Sequence, residues 1–368
     1  MKLRREHLWV VLVNILVLCG LLAALALLPP AAVDLYKMVR SLGSSGASDP
    51  RALLPNYQDK DWARRHFEEF ASLRTSYQDF IGWRRAPFAG MTITIDADGY
   101  RRHGNQRPFD ASGIWVFGGS TVWGPGVGDD GTIPARLQAL SSRPTFNFGE
   151  AAYTAHQSYN LLMKSYLLGG RPGHVVFYDG VNEVVHKCRA ELSFYSTAQE
   201  AVIRERLTGV LGGQSLLVDV FAPTLGVFRM LGKKLAGSAS ANAAELFDCH
   251  SNEAKRKRIA AALVMDWSLA KALVEKHGGK FLPVLQPVAH LGAPNLRHLD
   301  GVRNDGLLRS QYEAVYPEIV SQLRQAGLEY ADLTRIHDGD EILYIDFCHV
   351  SLVGNERVAG RIAAMLPP

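Results

Sequence analysis

Five short apolar runs, each flanked by helix-like segments, recur along the chain from residue 113 onward, and this alternation restricts the fold more than any other feature. Gly113 to Phe117 is a buried-strand pattern that ends in the turn formers Gly118 and Gly119. Thr132 to Leu140 opens with Thr, carries an early Pro134 and continues in helix formers, so it predicts a helix. Phe146 to Gly149 is the second strand and Gln157 to Leu168 a helix, and His174 to Tyr178 is the third strand. Arg256 to His277 is a long helix with Ile259, Leu263, Met265, Trp267 and Leu273 as its apolar positions. Lys280 to Leu285 is the fourth strand, weakened by Pro283. Tyr312 to Ala326, Leu328 to Leu333 and Asn355 to Leu366 complete the series as helix, fifth strand and closing helix. Alternation of this kind predicts an α/β domain with a five-stranded parallel sheet and helices on both faces. Chemistry is then expected beyond the carboxyl ends of the strands.

Composition narrows the classes further. With 47% hydrophobic and 21% charged positions in 368 residues, the chain is neither disordered nor collagenous, nor a multi-span membrane protein. A net charge of +4 is too small an excess to predict nucleic-acid binding. Four cysteines are too few for a disulfide-built scaffold.

Leu8 to Leu28 is apolar except for Asn14, and these 21 residues at ~1.5 Å each reach about 31 Å, enough to cross a bilayer core. Lys2, Arg4 and Arg5 place the N-terminus in the cytoplasm by the positive-inside rule. The run exceeds the ~7–15 residues of a signal-peptide core, and Pro29-Pro30-Ala31-Ala32-Val33 is a poor cleavage site. Leu18 before Cys19 is bulky where a lipoprotein signal has a small residue. The expected organisation is a tail at 1–7, a single membrane anchor at 8–28 and a linker at 29–50. A domain at 51–368 follows, outside the cytoplasmic membrane in the periplasm or extracellular space. The linker is rich in Ser and Gly over Ser41 to Pro50, and a helix is expected over Trp62 to Ser76. Residues 190–255 break the alternation and are expected to be a helical insertion or lid. Within it, Leu216 to Leu231 has a second, membrane-surface reading.

The chemistry-bearing residues sit at strand exits. Ser120 follows Gly118-Gly119, where glycine leaves the backbone free and the hydroxyl accessible. A serine hydroxyl is a weak nucleophile and needs a base, for which His349 is the candidate. Asp346, three residues earlier, is close enough to hold the imidazole tautomer. The Ser120 and Gly149 N–H groups and the Asn182 amide offer donors for an oxyanion. Each piece alone is weak, since a serine after a strand is usually a turn residue and an asparagine in a glycine turn usually serves left-handed geometry. Their joint occurrence, in order and each at a strand exit, is the stronger signal.

The blocks Phe117-Gly118-Gly119-Ser120, Asn147-Phe148-Gly149, Gly180-Val181-Asn182-Glu183 and Asp346-Phe347-Cys348-His349 resemble those of the SGNH hydrolases, also called GDSL esterases. The resemblance spans about residues 113 to 360. It implies a flavodoxin-like three-layer α/β/α sandwich, Ser120 as nucleophile, His349 as base, Asp346 as its orienting acid, and Gly149 and Asn182 in the oxyanion hole. Two positions depart from the family pattern: Gly119 stands where Asp is usual before Ser, and Glu183 where Asp is usual after Asn. The anchored form and the stretch Tyr77 to Arg101 look similar to family members that act in bacterial envelope or exopolysaccharide acylation. By analogy the substrate is an acylated carbohydrate and the partners belong to envelope polysaccharide synthesis.

The function expected is therefore an anchored serine esterase that cleaves O-acyl, above all O-acetyl, esters through an acyl-enzyme on Ser120. An O-acetyltransferase with the same triad is the alternative, a non-catalytic glycan-binding or assembly subunit a second. Thioesterase and phospholipase roles also stay open. No cofactor is required. No metal site is expected, because the twelve histidines show no ligand spacing. Gly126 to Gly131 imitates a dinucleotide fingerprint, but it follows no strand and carries two aspartates. Lys255 to Arg258 reads as a solvated charge run. His156 and Gln157 are possible pocket residues. Cys188 and Cys249 flank the insertion and are a possible disulfide, which would close a loop of ~60 residues.

Overall fold

The computed structural model describes residues 9–10, 12–18, 49–104, 113–192, 194, 197–211 and 247–367. They fall in two compact units, 1–47 with 202–241 and 48–201 with 242–368. In the first, residues 9–10 and 12–18 are helical with exposed side chains. The remainder of the expected anchor, most of the linker and Leu216 to Leu231 lie outside the described residues. Among the described residues no helix is long and apolar enough to cross a membrane.

The second unit opens with a helix, α1 (Trp62–Ser72), and two antiparallel hairpins, β1 (Thr75–Gln78) with β2 (Gly82–Arg85) and β3 (Phe88–Ala89) with β4 (Thr94–Ile95). The helix stops short of the expected Ser76. Ser72 Oγ donates to the Glu69 carbonyl at 2.7 Å, Leu73 turns extended, and β-branched Thr75 begins a strand instead. The alternating part then runs β5 (Ile114–Gly118), α2 (Ser120–Trp123), α3 (Ile133–Ser141), β6 (Thr145–Asn147), α4 (Ala155–Leu167), β7 (His174–Asp179) and α5 (Val181–Lys187). After α6 (Ala198–Leu211) come α7 (Glu253–Lys276), β8 (Lys280–Leu285), α8 (Asp300–Arg303), α9 (Gly306–Gln325), β9 (Ala331–Asp332) and α10 (Leu352–Met365).

The five strands of the large sheet are all parallel and ordered β6-β5-β7-β8-β9. Renumbered within the sheet this is 2-1-3-4-5, the flavodoxin-like order. Pro283 interrupts nothing. Lys280 and Gln286 donate toward β7, so alternation turns the Pro283 nitrogen to the other side, ahead of Val284, where β9 begins to pair. The fifth strand is shorter than expected because only Ala331 and Asp332 pair.

One face of the sheet presents Ile114, Val116, Val176, Tyr178 and Val284 to Leu137 of α3 and to Val358 and Ile362 of α10. The other presents Phe117, stacked on Phe148, and Phe177, tilted against Phe117 and edge-on to Phe281. Trp267 of α7 reaches the sheet there and donates to Asp179 Oδ2 at 3.0 Å. Burial of each such side chain contributes about 1.5–3 kcal/mol. Thr132 caps α3 by accepting the Ala135 N–H, as its sequence signature predicts.

Candidate active site

Ser120 begins α2 directly beyond the carboxyl end of β5, and Asn182 stands in the first turn of α5 beyond β7. These two strands are neighbours at the point where the strand order reverses, the usual ligand position in such sheets. The exit from β5 requires its glycines. A Cβ on Gly118 (φ +154°) would lie 2.4 Å from the Tyr178 carbonyl oxygen, and one on Gly119 would lie 2.3 Å from Asn182 Nδ2. Arg101 braces the far end of this turn: it is buried, donates to the Trp123, Gly124 and Val127 carbonyls and pairs with Asp129 at 3.0 Å.

The base arrives from the other end of the chain. Residues 344–350 form a closed loop in which the Ile345 N–H bonds the His349 carbonyl at 2.9 Å, and the Ala289 N–H bonds the Phe347 carbonyl at 2.9 Å. His349 Nε2 lies 2.7 Å from Ser120 Oγ, and its Nδ1 lies 2.7 Å from Asp346 Oδ2. The other carboxylate oxygen, Oδ1, accepts the backbone N–H groups of Cys348 at 3.0 Å and His349 at 2.8 Å. Burial alone would raise the Asp346 carboxyl. The His349 side chain and the two backbone donors outweigh it and hold the group well below the usual carboxylate range. Asp346 is thus an ionised acceptor that keeps the Nδ1 proton in place and aims Nε2 at the serine. Arg51 adds a positive charge, with Nη1 3.5 Å from Asp346 Oδ2.

The acceptor side of the site differs from the sequence expectation at Gly149. Its N–H donates to Asn147 Oδ1 at 3.0 Å, and a Cβ there would meet Trp123 N at 2.5 Å. The residue is packed beneath α2 with its donor already spent. The next turn supplies a different donor. Tyr153 N bonds the Glu150 carbonyl at 3.3 Å, with Ala152 at φ +64° in the second central position. That geometry normally takes Gly or Asn, and an alanine there stores backbone strain of about 1–2 kcal/mol. Trp83 Nε1 holds the Ala151 carbonyl at 2.9 Å. In a trans peptide the N–H points opposite to the C=O, so the Ala152 N–H faces away from Trp83. Neither this N–H nor that of Ser120 has an acceptor among the described residues. Asn182 Nδ2 donates one hydrogen to the Tyr153 carbonyl at 2.7 Å and keeps a second. Ser120, Ala152 and Asn182 therefore keep donors that no described residue accepts, and Asn182 and the Tyr153 carbonyl lie against the turn at Gly119 that carries Ser120. A glycine is the residue type expected for such a donor, and nothing in the residue type of Ala152 announces its left-handed backbone.

The loop that carries Ala152 is fixed from below. Fully buried Glu150 accepts the Arg85 and Ala151 N–H groups, each at 2.7 Å, and its own N–H bonds the Gly118 carbonyl at 3.1 Å. Arg84, buried and stacked 4.2 Å over the Tyr100 ring, donates to the Gly149 carbonyl at 3.4 Å. The stretch Tyr77 to Arg101 thus builds the floor of the site.

His156 and Gln157 do not join the triad. They line a separate cavity of about 260 Å³ that begins at Thr154, one residue beyond Tyr153. Cys188 and Cys249 are bonded to each other, and both are fully buried. Asp346, Cys348 and His349 also bring three metal-ligand types within 4.8 Å of one another. The carboxylate and imidazole are already committed to the triad. Burial raises the Cys348 thiol well above its ordinary range, which leaves it a poor nucleophile.

No protein-family model matches the chain, and no curated protein resembles it in sequence. Solved structures do resemble it loosely. A carbohydrate acetylesterase family member from Sinorhizobium meliloti is 12% identical, with 69% of this chain and 96% of that one covered at a TM-score of 0.38. A member of the lipolytic protein G-D-S-L family from Veillonella parvula is 11% identical over 69% of this chain and 97% of that one, at a TM-score of 0.37. So loose a likeness assigns neither family nor activity.

Proposed function

We propose that this protein is a serine hydrolase of the SGNH type that cleaves O-acyl esters through an acyl-enzyme. The observation that carries the reading is the unbroken relay Asp346–His349–Ser120, with both side-chain contacts at 2.7 Å. Ser120 Oγ attacks the ester carbonyl while His349 Nε2 takes its proton. The developing oxyanion is met by the Ser120 and Ala152 N–H groups and the Asn182 amide. His349 then returns the proton to the departing alcohol, and water, deprotonated by the same imidazole, releases the acid.

Acyl groups on a glycan, acetyl above all, are the substrate class this reading favours, with residues 8–28 anchoring the domain outside the cytoplasmic membrane. The buried Cys188–Cys249 bond supports an oxidising compartment. The test is hydrolysis of p-nitrophenyl acetate and of an acetylated glycan by wild type and Ser120→Ala. Acid release from both, lost by at least about 10³-fold in the variant, is the expected result. Acetyl recovered on an added glycan acceptor would reassign the protein as an O-acetyltransferase. No turnover, and no labelling of Ser120 by a fluorophosphonate, would leave a glycan-binding subunit.

A further inference from the structure

The cavity of about 260 Å³ next to the active site holds cationic and donor groups without partners. Lys187 is buried at 7% exposure, and among the described residues its ammonium has no carboxylate or hydrogen-bond acceptor, only the Phe194 ring at 5.4 Å. Its charge also acts on the buried Asp179 of β7, and no hydrogen bond among the described residues uses its donors. His186 beside it is also 7% exposed, and both its ring nitrogens are buried without a partner. Burial pushes its imidazole down to about 4, so it enters the cavity neutral and brings an unused N–H donor. The acid of the cavity wall, Asp266, is already engaged, holding His156 at 3.0 Å, and Glu200 behind the lining residue Gln157 accepts from it at 3.2 Å. α7 adds apolar Met265 and Leu269, one turn apart, to the lining beside Asp266.

The position ties this cavity to the reacting serine. Asn182 and His186 lie one turn apart on α5, and Asn182 bonds the Tyr153 carbonyl next to the lining residue Thr154. We propose that the cavity is a subsite for the anionic group of an acidic glycan, whose carboxylate or phosphate oxygens are met by Lys187 and His186 while Met265 and Leu269 face the sugar's C–H surface. The volume lies just below the ~300–1,000 Å³ of drug-sized pockets and suits a single sugar unit. The role as a substrate subsite rests on the ester-hydrolase reading; the occupancy does not.

The experiment is therefore binding, measured separately from turnover. Full-length Ser120→Ala is titrated calorimetrically with oligogalacturonate, a phosphorylated mannose oligomer and a neutral xylose oligomer. At least one acidic oligomer is expected to bind tenfold or more tighter than the neutral one, and the better of the two identifies the anion. Lys187→Met, in the same background, is expected to lose that preference and Lys187→Arg to keep it. Should Lys187→Met melt as an unfolded chain, the ring resonances of His186 decide instead: acidic oligomers are expected to move them and the neutral oligomer to leave them in place. Equal affinity for acidic and neutral oligomers, a preference intact in folded Lys187→Met, or unmoved His186 resonances would each overturn the proposal. Failure to hydrolyse any ester would sink the role of Ser120 and leave the binding result standing.

Discussion

Arg51 Nη1 lies 3.5 Å from Asp346 Oδ2, the same oxygen that accepts from His349 Nδ1. The guanidinium is held in place by Asp49, at 2.8 Å, and lies 4.9 Å over the Phe67 ring. A fixed positive charge so close to the triad opposes protonation of the base. Arg51→Gln removes it and shortens the side chain by two atoms while keeping a polar amide. The acid limb of the kcat/KM profile is expected to move to higher pH, by up to about one unit at this partly exposed site. A superimposable profile from wild type and variant would show that Arg51 only braces the loop.

The free donors at Ala152 and Asn182 predict where transition-state stabilisation is lost. Asn182→Ala deletes the side-chain amide and leaves the Tyr153 carbonyl without its donor. The expected cost is about 10²–10³ in kcat, with KM changed far less, since the oxyanion exists only after attack. A variant that loses KM and keeps kcat would place Asn182 in ground-state binding instead.

The sheet and the triad were legible in the sequence. The central strands β5 and β7 are buried and read as apolar runs, and Ser120 and Asn182 stand just beyond their ends, whereas Asp346 and His349 were legible from their i, i+3 spacing ahead of the closing helix. The hairpins over residues 75–95 were not legible, because their short strands are only partly buried and carry no clear alternation. Arg51 is only the first residue of the expected domain, with no role in the site, yet it touches Asp346. A long-range ion pair leaves no local pattern. Gly149 misled for the opposite reason: its type matched, but Asn147 two residues earlier claims its N–H through a local turn.

The Cys188–Cys249 bond closes a separation of 61 residues, for which loop-closure entropy gives about 4 kcal/mol. Denatured, unreduced protein from an oxidising compartment is expected to titrate two thiols and reduced protein four, since the chain has four cysteines. Cys188→Ser with Cys249→Ser should lower stability by about 2–4 kcal/mol and raise the m-value, because the unlinked denatured chain exposes more surface. Four thiols without reductant would contradict the bond.

Buried histidines set the acid limit of stability. Burial pushes His66 down to about 3, and His103, His186, His290 and His337 down to about 4. His66 Nε2 also accepts the Gly126 N–H at 2.9 Å, a bond that protonation would break. The unfolded chain takes up these protons near pH 6.5 and the folded one does not. Their contribution is complete above that pH and is lost as pH falls toward 4, at up to about 1.4 kcal/mol per unit for each histidine. Urea midpoints measured at pH 7 and pH 5 should therefore fall steeply, and equal midpoints would show these rings charged or solvated in the native state.

Gly119 offers the sharpest test of the site's geometry, because any side chain placed there should damage it. A Cβ at this position would lie 2.3 Å from Asn182 Nδ2 and 3.3 Å from the Tyr153 carbonyl, so the amide must move aside for any side chain. The backbone itself is unstrained, at φ −79°, and stability should change little. Gly119→Ala and Gly119→Asp are expected to lower kcat by about 10- to 100-fold through loss of the Asn182 donor, a part of what Asn182→Ala costs. In the double variant with Asn182→Ala the penalty of Gly119→Ala should nearly vanish, because both changes act on one donor. Additive losses would mean that Gly119 matters through Ser120 itself, by tilting α2 and its hydroxyl away from His349.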